Sequence, residues 1–113
     1  MDCVFCKIVK GEIPSKKVYE DGNVIAFLDI NPLSEGHTLV IPKKHAENIF
    51  DVSEEELSKV MQVVKKISKK RLEEGAKGVN ILQNNGKEAG QLVNHIHFHV
   101  VPRNGNDKLR FWP

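Results

Sequence analysis

From His95 to Val101 the chain reads His-Ile-His-Phe-His-Val-Val, with strict polar–apolar alternation through its first five residues. A period of two is the signature of a strand. It sets the three imidazoles on one sheet face, roughly 6–7 Å between neighbours, and turns Ile96, Phe98 and Val100 to the other. The apolar face must be covered by a second layer. The opposite face carries three of the chain's five histidines, which is not how a sheet packs a core.

The covering layer is legible as one long helix. Ser53 and Glu56 form a capping box, and apolar residues follow at Leu57, Val60, Met61, Val64, Ile67 and Leu72. Glu54 and Glu55 sit at its positive end, Lys69, Lys70 and Arg71 near its negative end, and Gly75 stops it. This helix reads as scaffold, packing one face on a sheet.

The remaining segments supply that sheet. Lys17 to Tyr19 and Val24 to Leu28 read as strands joined across Asp21-Gly22, a pair that favours tight hairpins. Thr38 to Ile41 reads as a third strand ended by Pro42, Val79 to Gln83 as a fourth and Ile96 to Val101 as a fifth. Phe5 to Lys10 forms a short helical turn before Gly11. The fold class is α+β with a mainly antiparallel sheet, in a single domain over 1–113. A net charge of +2, with lysines spread along the chain, argues against nucleic-acid or membrane binding. No apolar run suits a membrane helix, and Asp2, Cys3 and Lys7 interrupt any signal-peptide plan, so a cytoplasmic location with reduced or metal-bound cysteines is expected.

Alternating histidines support two chemistries. Neutral imidazole ligates transition metals, and it also attacks phosphorus while a neighbouring imidazole donates hydrogen bonds to the phosphoryl oxygens. The polar loop Asn84 to Gln91 ends just before His95 and favours the second. On composition alone that loop reads more readily as an ordinary surface connection. Separately, Cys3-x-x-Cys6 has the spacing of half a tetrahedral zinc site, with two incidental thiols as the plain alternative.

The segment His95 to Val101 resembles the motif of the histidine-triad family at every position. Phe5-Cys6-Lys7-Ile8, Gly11-Glu12-Ile13-Pro14, Val18 to Asp21, Phe27 to Pro32, Gly36 to His45 and a Trp112-Pro113 terminus are similar to its nucleoside phosphoramidase branch. The resemblance implies a five-stranded sheet with one long helix and a short N-terminal helix, paired in a homodimer as a ten-stranded sheet. It implies binding of purine mononucleosides with a 5′-phosphoryl group and cleavage of nucleoside 5′-phosphoramidates at the α-phosphorus. His97 would attack, and a nucleotidyl-histidine would be hydrolysed to the monophosphate. His99 would bind phosphoryl oxygens and His37 would order the relay. Asn84 and Gln91 match phosphate-contacting positions, Asp29 the position that holds the ribose hydroxyls, and Phe5, Ile8, Phe27 and Ile30 the apolar base pocket. By the same resemblance, to bacterial members, Cys3, Cys6, His45 and His95 would bind zinc in a closed, structural site.

Two positions depart from the pattern. Leu92 stands where a phosphate-touching serine is frequent, which bears on leaving-group protonation or substrate range, and Asn94 replaces a frequently aromatic residue. The alternative functions are a nucleotide-binding regulatory module with incidental turnover, and a catalytic metalloenzyme. The latter requires zinc with an open coordination position.

Overall fold

The computed structural model describes residues 3–111, so the Trp112-Pro113 terminus lies outside them. In chain order the elements are α1 (Val4–Val9), β1 (Lys17–Glu20), β2 (Val24–Leu28), β3 (Thr38–Pro42), α2 (Glu54–Glu73), β4 (Gly78–Leu82) and β5 (Phe98–Arg103), with a short 3-10 turn at Lys87–Ala89. The strands form one antiparallel sheet in the order β1-β2-β3-β5-β4.

The alternation within each strand divides the core in two. Val24, Ala26, Val40, Ile96, Phe98 and Val100 pack with Val60, Val63, Val64 and Ile67 of α2. Ile25, Phe27, Leu39 and Ile41 point the other way and pack with Phe5 and Ile8 of α1. Because both faces are covered, β2 and β3 read as continuous apolar runs rather than alternating ones.

The β1–β2 hairpin closes where Asp21-Gly22 predicts a turn, but a carboxylate shapes it. Asp21 Oδ1 accepts from the amides of Asn23 and Val24 at 2.7 and 2.8 Å, while Gly22 is not among the glycines with positive φ. Ser53 caps α2 as expected, its hydroxyl accepting from Glu56 N at 3.0 Å. The inward stripe differs from the sequence reading. Met61 and Leu72 are exposed, whereas Val63, Ser68 and Arg71 are buried. At about 100° per residue, Met61 and Leu72 lie roughly 90–115° around from the centre of the stripe set by Val60, Val64 and Ile67.

β5 starts at Phe98 rather than Ile96, so His95 and His97 lie on the lead-in to the strand. The ladder pairs Val40 with Phe98, Leu39 with His99 and Thr38 with Val100. Carried two steps further it would set Pro42 opposite Ile96, and a proline has no amide proton to give. Ile96 N instead donates to Ala46 O at 2.8 Å. Ile96 is nevertheless buried in the α2-side core with Phe98 and Val100, so the predicted division of faces holds without the ladder.

Candidate active site and metal cluster

His99 fixes the location of the site. It lies in β5 between Leu39 of β3 and Leu82 of β4, on the sheet face that carries α1. Its ring centroid is 5.0 Å from that of His97 and 5.2 Å from that of His37. His37 immediately precedes β3 in a turn closed by three bonds: Asp29 N donates to His37 O, His37 N donates to Ser34 O, and Leu33 N donates to His37 Nδ1, at 3.0, 3.1 and 3.0 Å.

These bonds set the tautomer of each imidazole. An amide can only donate, so His37 Nδ1 is an acceptor and the neutral ring carries its proton on Nε2. That proton faces His99 Nδ1 at 2.9 Å, which makes His99 Nδ1 an acceptor and leaves its Nε2–H as a donor. A carbonyl can only accept, so His97 Nδ1–H donates to His95 O at 2.8 Å and His97 Nε2 keeps its lone pair. His95 is set the opposite way round. Its Nε2–H donates to Pro42 O at 2.8 Å, and its Nδ1 lone pair faces two sulfurs. Three histidines of one motif thus present a free lone pair on Nε2, a donor on Nε2 and a free lone pair on Nδ1.

Burial keeps these rings neutral. It pulls His99 down to about 4, helped by His97 and His37, against the opposing pull of the Asp29 carboxylate. Burial likewise lowers His97 against its hydrogen bond to His95 O, and lowers His37 against Asp29. His37 Nε2 lies 3.5 Å from Asp29 Oδ2, yet desolvation outweighs that attraction, so the contact is not an ion pair at neutral pH. Asp29 Oδ1 accepts from Asn31 N at 2.9 Å.

The expected surroundings are gathered in part. Phe5 stands edge-on to His97 and Phe27, with centroids 5.2 and 5.5 Å away, and Ile8 joins the same cluster. Ile30 does not join it. It is 91% exposed, because β2 ends at Leu28 and the Asp29–Asn31 turn carries residue 30 outward. Leu82 pairs with His99, and Asn84 follows two residues along, its Nδ2 3.5 Å from where a Cβ on Gly90 would lie. Gln91 is buried and its amide is committed: Oε1 accepts from Gly86 N at 2.8 Å, and Nε2 donates to Glu47 O and Val93 O at 2.6 and 2.9 Å. Its side chain therefore braces the loop rather than offering a donor to phosphate, as a buried amide must be satisfied somewhere. Leu92, by contrast, is 93% exposed.

Cys3, Cys6, His45 and His95 converge, with all four ligand atoms within 4.8 Å of one another. Cys3 caps α1, its sulfur accepting from Cys6 N, which places both thiols on one side of a single turn. His95 Nδ1 lies 3.4 Å from Cys3 Sγ and 3.6 Å from Cys6 Sγ, and His45 Nδ1 lies 3.3 Å from Cys6 Sγ. In a tetrahedron with ordinary zinc–sulfur and zinc–nitrogen bond lengths, the sulfur–nitrogen edge is about 3.6 Å. The residues fit zinc in both donor type and spacing. Burial and the neighbouring Cys3 push the Cys6 thiol up, so a thiolate here calls for a cation to stabilise it. Four protein ligands would close the coordination shell, which suits a structural ion.

A family model for the HIT domain matches residues 10–106. The chain belongs to the HIT family. An uncharacterized HIT-like protein of Methanocaldococcus jannaschii is 53% identical over 105 residues, covering 93% of this chain and 81% of that relative. An adenosine 5′-monophosphoramidase of Schizosaccharomyces pombe is 48% identical over 103 residues, covering 91% of this chain and 75% of the yeast protein. The crystal structure of a zinc-bound histidine triad family protein from Mycobacterium smegmatis superposes with a TM-score of 0.93 at 47% identity, covering 98% of this chain and 81% of that one.

Sequence reading overlooked two residues that brace the surroundings of this HIT protein's candidate site. Asn85 accepts from Ile49 N at 2.8 Å and from Gln83 Nε2 at 2.7 Å, tying the loop base to the segment before α2. Arg71 is buried behind His37, on the other face of the sheet. Its signal was available: at about 100° per residue it falls at the centre of the apolar stripe of α2.

Proposed function

We propose that this HIT protein binds purine mononucleotides and hydrolyses nucleoside 5′-phosphoramidates at the α-phosphorus. The observation that carries this is the tautomer chain, which leaves a lone pair on His97 Nε2 beside a donor on His99 Nε2. The relationship to adenosine 5′-monophosphoramidases at 46–48% identity supports the choice of substrate.

In the proposed reaction His97 Nε2 attacks phosphorus and the P–N bond breaks. The amine departs with that bond's electron pair and a proton from solvent, since Leu92 has no hydroxyl to supply one. His99 Nε2–H steadies the charge growing on a phosphoryl oxygen, and His37 holds His99 in the donating tautomer. As His97 becomes quaternised, its Nδ1–H bond to His95 O strengthens. Water then attacks phosphorus, the P–Nε2 bond breaks, and the nucleoside monophosphate and neutral His97 are restored. Asp29 is suited to accept from ribose hydroxyls, and Phe5 and Phe27 to line an apolar surface for the base.

Zinc on Cys3, Cys6, His45 and His95 would anchor α1 and contribute charge stabilisation to its own thiolates, with no part in bond cleavage. The edge strand β4, with Ile81 46% exposed, supports pairing with a second copy of the chain. Among the described residues no helix is long and apolar enough to cross a membrane.

The test is hydrolysis of adenosine 5′-phosphoramidate by wild type and by H97A. Turnover that disappears in H97A is the expected result. Equal, slow rates for both would leave only a nucleotide-binding role.

A further inference from the structure

The tautomer chain begins in a turn that is clamped from behind the sheet. Gly36 and Thr38 flank His37 and make their contacts on the α2 side, whereas His37 itself faces His99. Arg71 reaches both flanks: Nε donates to Gly36 O at 3.0 Å and Nη2 to Thr38 Oγ1 at 2.9 Å. Thr38 Oγ1 in turn donates to Gly36 O at 2.8 Å, so guanidinium, hydroxyl and carbonyl close a ring around the backbone that carries His37. Nη1 meets Glu74 at 2.7 Å. Gly36 has φ +87, and a Cβ there would lie 3.2 Å from Arg71 Nε and 3.3 Å from Pro102, so the clamp packs directly onto the turn.

A buried guanidinium is costly to desolvate and is retained where its planar fork holds several acceptors at once. α2 could fill this position with an apolar residue as far as the sheet core is concerned. The acceptors Arg71 holds belong instead to the two residues on either side of His37. We infer that Arg71 is a positioning residue for catalysis. It fixes the turn so that Leu33 N meets His37 Nδ1, which keeps His37 Nε2–H on His99 and His99 Nε2–H toward the substrate. The inference rests on the proposed phosphoramidase chemistry for its kinetic consequence, but its structural content is the histidine tautomers, which can be read without turnover.

Two readouts test it on the full chain. In long-range ¹H–¹⁵N spectra of the histidine rings, wild type should show His37 and His99 each as a single Nε2–H tautomer. R71M, similar in length and without donors, should show mixed tautomers at both. R71K puts one nitrogen where the planar fork had two, and should lie between. E74Q keeps both clamping bonds, since the Glu74 side chain is half exposed and outside the ring, and should match wild type. In steady-state hydrolysis of adenosine 5′-phosphoramidate, R71M should lose roughly ten- to a hundredfold in kcat with KM within about twofold, the pattern of misplaced rather than missing groups. If R71M does not fold, R71K carries the test by the same spectra. Unchanged His37 and His99 tautomers in R71M, or in R71K where that is the folded variant, overturn the inference. Wild type without turnover but with tautomers that respond to Arg71 overturns the reaction and leaves the clamp standing.

Discussion

His97 gives its Nδ1 proton to the backbone carbonyl of His95, 2.8 Å away, while the ring of His95 faces Cys3 and Cys6 at 3.4 and 3.6 Å. One residue therefore belongs to two sites, with its side chain in a ligand cluster and its carbonyl setting the tautomer of the candidate nucleophile. Phe5 joins them a second time, edge-on to both rings. The Cys/His cluster and the candidate nucleophile thus share His95 and Phe5.

The cluster should bind zinc and stabilise the N-terminal region without supplying chemistry. Metal analysis of purified protein should find zinc in wild type and lose it in C6S and H45A. Both variants should melt roughly 10 °C lower, the shift expected for a loss of about 2–3 kcal/mol in a domain of this size. Equal melting temperatures with and without zinc would contradict the structural role.

Stability should fall on acidification below the ordinary histidine range. The value for His99 is about 4 in the folded chain, against 6.5 for an unperturbed ring, so the unfolded chain takes up the proton first. The contribution is complete above about pH 6.5 and is lost progressively as the pH falls toward 4; His37, shifted the same way, adds to it. Denaturant midpoints measured from pH 7.5 down to 4.5 should decline in wild type and decline less in H99Q. Equal slopes would contradict the burial of His99 as a neutral ring.

Gly36 and Gly11 separate backbone strain from packing. Both have positive φ, +87 and +78, but a Cβ on Gly11 meets nothing within 4 Å. G11A should cost about 1–2 kcal/mol for the left-handed backbone alone, and G36A measurably more, because Arg71 and Pro102 must also move. Equal losses on thermal denaturation would show that the turn has room.

Gln91 should act through the loop it braces. Q91E replaces two donors with a carboxylate facing the carbonyls of Glu47 and Val93. It should destabilise the protein by about 1–3 kcal/mol and raise KM, as expected for an uncompensated buried polar group. L92S, at a 93% exposed position, should alter stability by no more than about 0.5 kcal/mol. A kinetic change in L92S therefore reports on leaving-group protonation or substrate range rather than on folding.

The helix, the strands and the histidine face were legible because capping and periodicity are local signals. Ser53 with Glu56 starts α2, and period two in residues 95–99 assigns each side chain its face even where the ladder is missing. What escaped depended on partners remote in sequence. Lys69, Lys70 and Arg71 read as one basic helix end, yet only Arg71 turns inward, toward acceptors 35 and 33 positions away. Gln91 reads as a donor free for phosphate until Glu47 O and Val93 O are seen to occupy it. Cys3-x-x-Cys6 offers half a metal site on spacing alone. Its other half, His45 and His95, lies 39 and 92 positions from its sulfur partners, and only family resemblance joined them in sequence.

The most direct measurement is capture of the covalent intermediate. Wild-type protein mixed with adenosine 5′-phosphoramidate and quenched within milliseconds should yield, by peptide mass spectrometry, an adenylyl group on the peptide containing His97, with fragmentation assigning it to that ring and none formed in H97A. Hydrolysis at full rate with no adduct at any quench time, or an adduct on His95 or His99 instead, would contradict His97 as the nucleophile.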